Sequence, residues 1–389
     1  ATGYRALYSN TIGYYNVATG HEALYYNTAG GGNTASGYRA LYQNTTGTNN
    51  SATGHSALKS NTTGTYNSGF GINALLSNTT GHSLSAFGNA ALAGNTTGTA
   101  NNAFGSAALQ RNTTGAYNNA FGLDALTYNT TGGNNAAIGY RSLYYNTTGV
   151  GNTAVGHANL FSNTTGTFNV AIGGGLSNNT AGHYNIAVGS GALQSNTTAS
   201  SNSALGHQAL NANTTGASNT AVGYRALISN TTVSNLTAVG TEALYSNTTG
   251  ANNLAVGYQA LKANTTGSEN TAIGEAALLS SVASTATVAI GYQAAQYQTG
   301  AYGNIAVGTR ALYYNATGSY NVAIGFQSLR ANSTGTQNVS IGHQTMYSNS
   351  TGIVNTAVGY SAMFPNTTGA SNTALGHNAL SANTTAQNN

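Results

Sequence analysis

The chain has 389 residues, of which only 9 are Lys or Arg and 5 are Asp or Glu; this charged share of 4% compares with about a quarter in ordinary soluble domains. Gly stands at 52, Tyr at 26 and Pro at 1, while Cys and Trp are absent. Collagen, proline-rich linkers, disulfide scaffolds and cysteine-ligated metal proteins are thereby excluded, a conventional soluble enzyme is disfavoured, and nine dispersed cations cannot form the basic stripe that nucleic acid requires.

The chain opens on Ala1-Thr2-Gly3-Tyr4 rather than on a signal peptide, so any secretion signal is expected outside this segment. No apolar run approaches the roughly 18 residues of a membrane span, so no membrane insertion is expected. From the first turns onward the sequence repeats. Taking Thr34 as position 1 and Asn50 as position 17, the period of 17 runs to Asn389 and gives 23 units, with one residue deleted between Val170 and Asn185. No separate domain or linker interrupts it, so residues 1–389 read as a single continuous array, expected to be part of a longer fibre. Position 4 is always Gly, as at Gly3, Gly206 and Gly376; position 2 is Ala apart from Gly69 and Ser340; position 8 is almost always Leu. Position 3 drifts from Thr2, Thr19, Ser36 and Thr53, through Phe70, Phe87, Phe104 and Phe121, to Ile, Val or Leu from Ile138 onward.

Seventeen residues are too few for a helical hairpin repeat, and a Gly plus an Asn-Thr-Thr-Gly cluster in every unit opposes a helix. Segments such as Thr220 to Gly223 instead alternate small and β-branched residues, and Asn230-Thr231-Thr232 carries turn chemistry. Each unit therefore reads as one coil of an all-β, parallel β-solenoid or β-roll. The expected elements are a strand at positions 1 to 4, a turn near 5 and 6, a second short strand around 7 to 10, and a turn from 11 to 17. At about 4.8 Å per coil, 23 coils would form a rod on the order of 110 Å long. A coil with two sizeable apolar residues cannot offset the ordering of 17 residues alone, so it must stack. Lateral partners are expected as well. The Ala and Gly columns, at Ala35, Gly37, Ala52, Gly54, Ala221, Gly223, Ala357 and Gly359, would share the strand face opposite position 3. They would leave a flat strip for self-association, giving a homo-oligomeric fibre with a trimer as the favoured state; the alternative is that Ala and Gly fit a narrow interior within one chain.

The unit Asn219-Thr220-Ala221-Val222-Gly223-Tyr224-Arg225-Ala226-Leu227-Ile228-Ser229-Asn230-Thr231-Thr232 resembles the Asn-Thr-Ala-Ile-Gly repeats of bacterial surface and tail-fibre-like proteins. It is similar, more loosely, to the heads of trimeric autotransporter adhesins, whose period is shorter. The resemblance covers all 23 units and implies an extracellular or cell-surface location, a fibrous shape and attachment.

Position 11 supplies Asn-x-Ser/Thr acceptors for N-glycosylation at Asn44, Asn61, Asn78, Asn95, Asn112, Asn129, Asn146, Asn163, Asn196, Asn213, Asn230, Asn247, Asn264, Asn315, Asn332, Asn349, Asn366 and Asn383, with Asn178 as the equivalent in the shortened unit. The same Asn and Thr would also cap turns and form stacked ladders. Ser281 and Gln298 break the column, and a different turn is expected there. His21, His55, His157, His207, His343 and His377 fill position 5 without a second ligand at metal spacing. Acidic residues are scattered, so neither paired carboxylates nor a calcium site is expected. No catalytic residue, metal or cofactor is expected. Tyr clusters at positions 5, 9, 10 and 16 suit either coil edges and seams or contact with glycans and a cell surface. The functional expectation is a non-enzymatic extracellular structural or adhesive filament whose principal partner is itself. The alternative is a receptor- or ligand-binding fibre, of tail-fibre or ice-binding type.

Overall fold

Short alternating segments with a small central residue form strands that gain little alone and a ladder when repeated. A computed structural model describes residues 1–389 as two units: Ala1–Val188 with Asn196–Thr198, and Gly189–Ser195 with Ala199–Asn389. Each is a parallel β-solenoid without helices. The first unit carries the strands from β1 (Val17–Thr19) to β11 (Ile186–Val188), and the second those from β12 (Ser203–Leu205) to β22 (Thr373–Leu375). Every strand is three residues long, and within each unit neighbours pair in parallel with like position against like, as in Ala18↔Ala35 and Ala221↔Ala238.

Strand alternation then decides which residues face inward. The central Ala of each strand is buried, with Ala35, Ala52, Ala221 and Ala357 all at 0% exposure. Positions 1 and 3 point outward. The coil is closed opposite the strand by Ala at position 7 and Leu at position 8, which are also fully buried in most coils. Ser340 shows how narrow this space is. It replaces the central Ala and is met by Ser328 from position 7, whose hydroxyl donates to the Ser340 hydroxyl at 2.7 Å.

The expected self-association strip is therefore corrected: Ala35, Ala52, Ala221 and Ala357 line the interior of their own chain. Gly37, Gly54, Gly223 and Gly359 do not form a bare face with them. The Gly column has a backbone cause. Gly37 has φ +132, and a Cβ there would lie 2.6 Å from the carbonyl oxygen of Gly54 in the next coil. No L-residue fits both constraints.

The expected second strand at positions 7 to 10 is likewise replaced by a turn. Arg39 (φ 54) at position 6 and Leu41 (φ 51) at position 8 are left-handed, as is Asn49 (φ 57) at position 16. The N–H groups of this turn divide between the two neighbouring coils. Arg39 donates back to the His21 carbonyl at 3.0 Å, whereas Leu41 donates forward to Ala57 at 3.0 Å and Gln43 to Lys59 at 2.9 Å. A turn thus bonds to both neighbouring coils without being a strand. Leucine tolerates this backbone because burial and two-sided bonding fix it. Leu143→Ala is expected to destabilise the first unit by about 2–5 kcal/mol, read from the midpoint of a chemical denaturation curve.

Candidate interaction surfaces

Asparagine chemistry is settled inside the coil before any surface is reached. At position 11, the Asn44 amide nitrogen donates to Asn27 Oδ1 in the preceding coil at 2.8 Å and to the Gly47 carbonyl at 3.0 Å. At position 17, Asn33 Oδ1 accepts from the backbone N–H of Asn50 at 3.0 Å and from its side-chain amide at 3.2 Å. The two ladders meet at position 14, where the Gly64 carbonyl accepts from Asn61 at 3.1 Å and from Asn50 at 2.9 Å. Next to them, Thr45 Oγ1 donates to the Thr62 carbonyl of the next coil at 3.1 Å.

This placement corrects the glycosylation reading at the fully buried sites, which leaves Asn383 and Asn178 outside the correction. Asn44, Asn61, Asn78, Asn95, Asn112, Asn129, Asn146, Asn163, Asn196, Asn213, Asn230, Asn247, Asn264, Asn315, Asn332, Asn349 and Asn366 are all at 0% exposure, and Asn383 is half-buried. A glycan on one of the fully buried nitrogens would replace a ladder donor and need space the coil lacks, whereas Asn383 Nδ2 makes no ladder bond. In the shortened coil the ladder residue is Asn179, bonded to Asn163 Oδ1 at 2.9 Å, and Asn178 is exposed. The column fails where Ser281 stands: Asn264 Oδ1, Ser281 Oγ and Ser284 Oγ are buried without partners. One coil later Gln298 restores it, reaching Thr287 Oγ1 at 2.9 Å and accepting from Asn315 at 3.1 Å.

The outward strand face is the converse of the expected strip. In the first unit Phe70, Phe121, Ile138 and Ile172 are 37–46% exposed, and Phe70, Phe87, Phe104 and Phe121 stack with centroids 4.7–4.9 Å apart. In the second, Leu205, Ile273, Ile290, Ile324 and Ile341 continue the pattern at 36–42%, with Ile305 beside them at position 1. No Asp, Glu, Lys or Arg occurs at position 1 or 3 in any coil.

Beyond position 4 the surface becomes aromatic. His and Tyr alternate and stack along position 5, with centroids of 5.1, 5.3 and 4.9 Å from Tyr4 through His21 and Tyr38 to His55. Phe326, His343, Tyr360 and His377 repeat the arrangement in the second unit. At position 6, Arg39 Nε bonds Glu22 at 2.7 Å and Arg141 Nε bonds Asp124 at 3.3 Å, and each carboxylate holds its guanidinium pKa above the ordinary value. The hydrogen bond from Lys262, joined by one from Gln259, lowers the Glu242 pKa. Desolvation, followed by a neighbouring Tyr hydroxyl, raises the phenols of Tyr42, Tyr144 and Tyr313.

A shallow cleft of about 230 Å³ lies between Tyr14, Tyr15, Gly31, Gly32, Thr48 and Asn49. It is smaller than the roughly 300–1,000 Å³ of small-molecule sites. No group of three His, Asp or Glu side chains is placed to hold a metal ion, and no helix is long and apolar enough to cross a membrane. No protein-family model matches the chain, and no curated protein matches it.

Asn146 tests the ladder, because it donates to Asn129 Oδ1 and the Gly149 carbonyl and accepts from Asn163. Asn146→Asp sets a carboxylate against two acceptors, so burial and these neighbours raise its pKa in the folded state. The neutral acid can still donate. Such a variant is expected to melt well below the parent at neutral pH and to recover as pH falls toward about 4, while Asn146→Ala shows a deficit of about 1–3 kcal/mol without that pH dependence.

Proposed function

We propose that the chain is an extracellular structural or adhesive filament protein that self-associates through the outward strand face, at positions 1 and 3. The observation that carries this reading is the uncharged outward face, apolar at position 3 from Phe70 onward and neutral at position 1, where Thr, Ser and Asn stand among Val, Ile and Leu. Each unit completes its own core from Ala, Leu and paired amides, so residues such as Phe121, Ile138 and Ile290 are not needed to close the coil and remain outside it. An apolar face without charged gatekeepers is what soluble sheets ordinarily avoid. Burying it against the same face of another copy removes that liability, and a regular stack lets matching coils meet in register along the contact.

A second copy is the natural occupant because the face has no charge pattern with which to select a different protein. The trimer remains the proposed state on the resemblance to adhesin heads, and the extracellular location rests on the same resemblance. Exposed aromatic rows at positions 5, 9 and 10 would then stay outside the seam for contact with a cell surface or glycans.

Ile138→Lys and Ile290→Lys place one cation on the face of each unit while leaving the interior untouched. In sedimentation velocity the parent is expected to run as a homo-oligomer, and the double variant as a monomer with an unchanged circular dichroism spectrum. A parent that stays monomeric at high micromolar concentration would sink the proposal.

A further inference from the structure

The coil edge at positions 9 and 10 holds one arrangement three times. Tyr26, Tyr128 and Tyr297 occupy position 10, and Tyr42, Tyr144 and Tyr313 occupy position 9 of the following coil. Their ring centroids lie 5.1, 5.0 and 5.1 Å apart, with the planes steeply inclined at 78°, 68° and 89°. An arginine fixes each position-9 ring: the guanidinium carbons of Arg39, Arg141 and Arg310 sit 5.1, 5.4 and 5.5 Å from the ring centres. Each arginine is itself held through Nε by the position-6 residue of the preceding coil, Glu22, Asp124 or Gln293, at 2.7, 3.3 and 2.8 Å. Among the partner rings, Tyr26 is 46% and Tyr297 41% exposed, whereas Tyr128 is half-buried with the Arg111 guanidinium carbon 4.1 Å from its ring centre. The fold does not demand tyrosine here, because other coils carry Lys59 and Ser60, or Ala93 and Gly94, at the same positions.

Two phenols held edge to face in contact are preassembled reactants for radical coupling, which otherwise depends on chance encounter. We infer that these three pairs are sites of oxidative modification, each forming a dityrosine that joins one coil to the next. The oxidant is hydrogen peroxide acting through a haem peroxidase. One electron and one proton leave each phenol, and the two phenoxyl radicals form a carbon–carbon bond between positions ortho to the oxygens. The ring hydrogens at the new bond move to the oxygens as aromaticity returns. The peroxide takes up the two electrons and two protons and departs as two molecules of water. In an array where each coil contacts only its neighbours, such a bond blocks separation at that step. The inference does not depend on self-association.

Proximity and exposure make opposite demands on the outcome. Tyr66 and Tyr117 are more accessible, at 64% and 62%, yet neither has an aromatic ring in contact. The full chain, diluted and treated with a haem peroxidase and limiting hydrogen peroxide, is expected to develop dityrosine fluorescence. Mass spectrometry of its digest is expected to yield linked peptides joining Tyr26 to Tyr42, Tyr128 to Tyr144 and Tyr297 to Tyr313. Tyr42→Phe, Tyr144→Phe and Tyr313→Phe keep the ring, and each is expected to lose its own linked peptide while retaining the other two. A thermal melt of each variant before oxidation checks that the fold is intact, and oxidation is expected to raise the melting temperature of the parent. Absence of dityrosine overturns the inference. So do links centred on Tyr66 or Tyr117, or links joining heavy- and light-isotope chains in a mixed sample.

Discussion

The carbonyl at position 14 governs the rest of the coil, because two buried amides converge on it. Gly64 accepts from Asn61 of its own coil and from Asn50 of the preceding one, and the remaining valences of those amides run to Asn44 and Asn33. Burying an amide is unfavourable unless its hydrogen bonds are made. Here all but the Asn61–Gly64 bond are made with an adjacent coil. The amide part of the interior is thus stable only as a stack, which explains why the period is kept so strictly. The single deletion respects that constraint: it falls in the turn around Gly173 and Gly174, and the ladder passes uninterrupted from Asn163 through Asn179 to Asn196. Substitutions in the ladder fall under the same rule. Leu84 and Leu236 replace position-17 amides with side chains that carry neither donor nor acceptor, and their backbone N–H groups still bond Asn67 and Asn219. Ser281 keeps a polar atom too short to reach, and three buried groups are left without partners. Leucine removes one half of a bond as well, since elsewhere a position-17 Oδ1 accepts from the backbone N–H of the following coil's position-17 residue, as at Asn50 and Asn118, and a half-removed bond costs the desolvation of the group left behind.

The period, the all-β class and the stacking of coils were legible in the sequence, because they rest on spacing and on columns with no tolerance for volume. The direction of the strand was not. Ala221 and Val222 alternate, but alternation leaves open which of them faces the core, and the larger residue is the ordinary choice. The interior proves too narrow for it, since Ala at positions 2 and 7 already meet across the coil and Leu at position 8 fills the remainder. The role of glycine was misleading for a related reason. A bare column resembles a packing face, yet Gly37 answers to its φ and to the Gly54 carbonyl above it.

Asparagine was ambiguous in principle rather than by oversight. An Asn-Thr-Thr turn, a glycan acceptor and a buried ladder share one pattern, and they differ in the direction of the side chain. The structure turns it inward, to the Asn of the preceding coil and the position-14 carbonyl, in a coil whose positions 6, 8 and 16 are left-handed. No propensity would assign that backbone to Leu41 or Arg39, because it is imposed by bonding to both adjacent coils. The tyrosine edge had the opposite fate: its columns were visible in the sequence, but the contact between position 10 of one coil and position 9 of the next needed the structure.

Scarcity of charge follows from the same stacking. Like positions sit about 4.8 Å apart in successive coils, where two equal unit charges repel by about 1 kcal/mol even in water. A column of identical charges would accumulate that cost at every step. Position 6 accordingly carries Arg5, Glu22 and Arg39 in succession, then Asp124 beside Arg141 and Arg225 beside Glu242, with no two like charges adjacent. Histidine at position 5 obeys the rule too, His21 and His55 being separated by Tyr38, and His343 and His377 by Tyr360. Neutral columns escape the constraint and gain from it, since identical rings stack and identical amides bond. A chain built by exact superposition is therefore driven toward Asn, Thr, Ala and aromatic residues on every face, and its outward strands lack the charged side chains that would keep two copies apart.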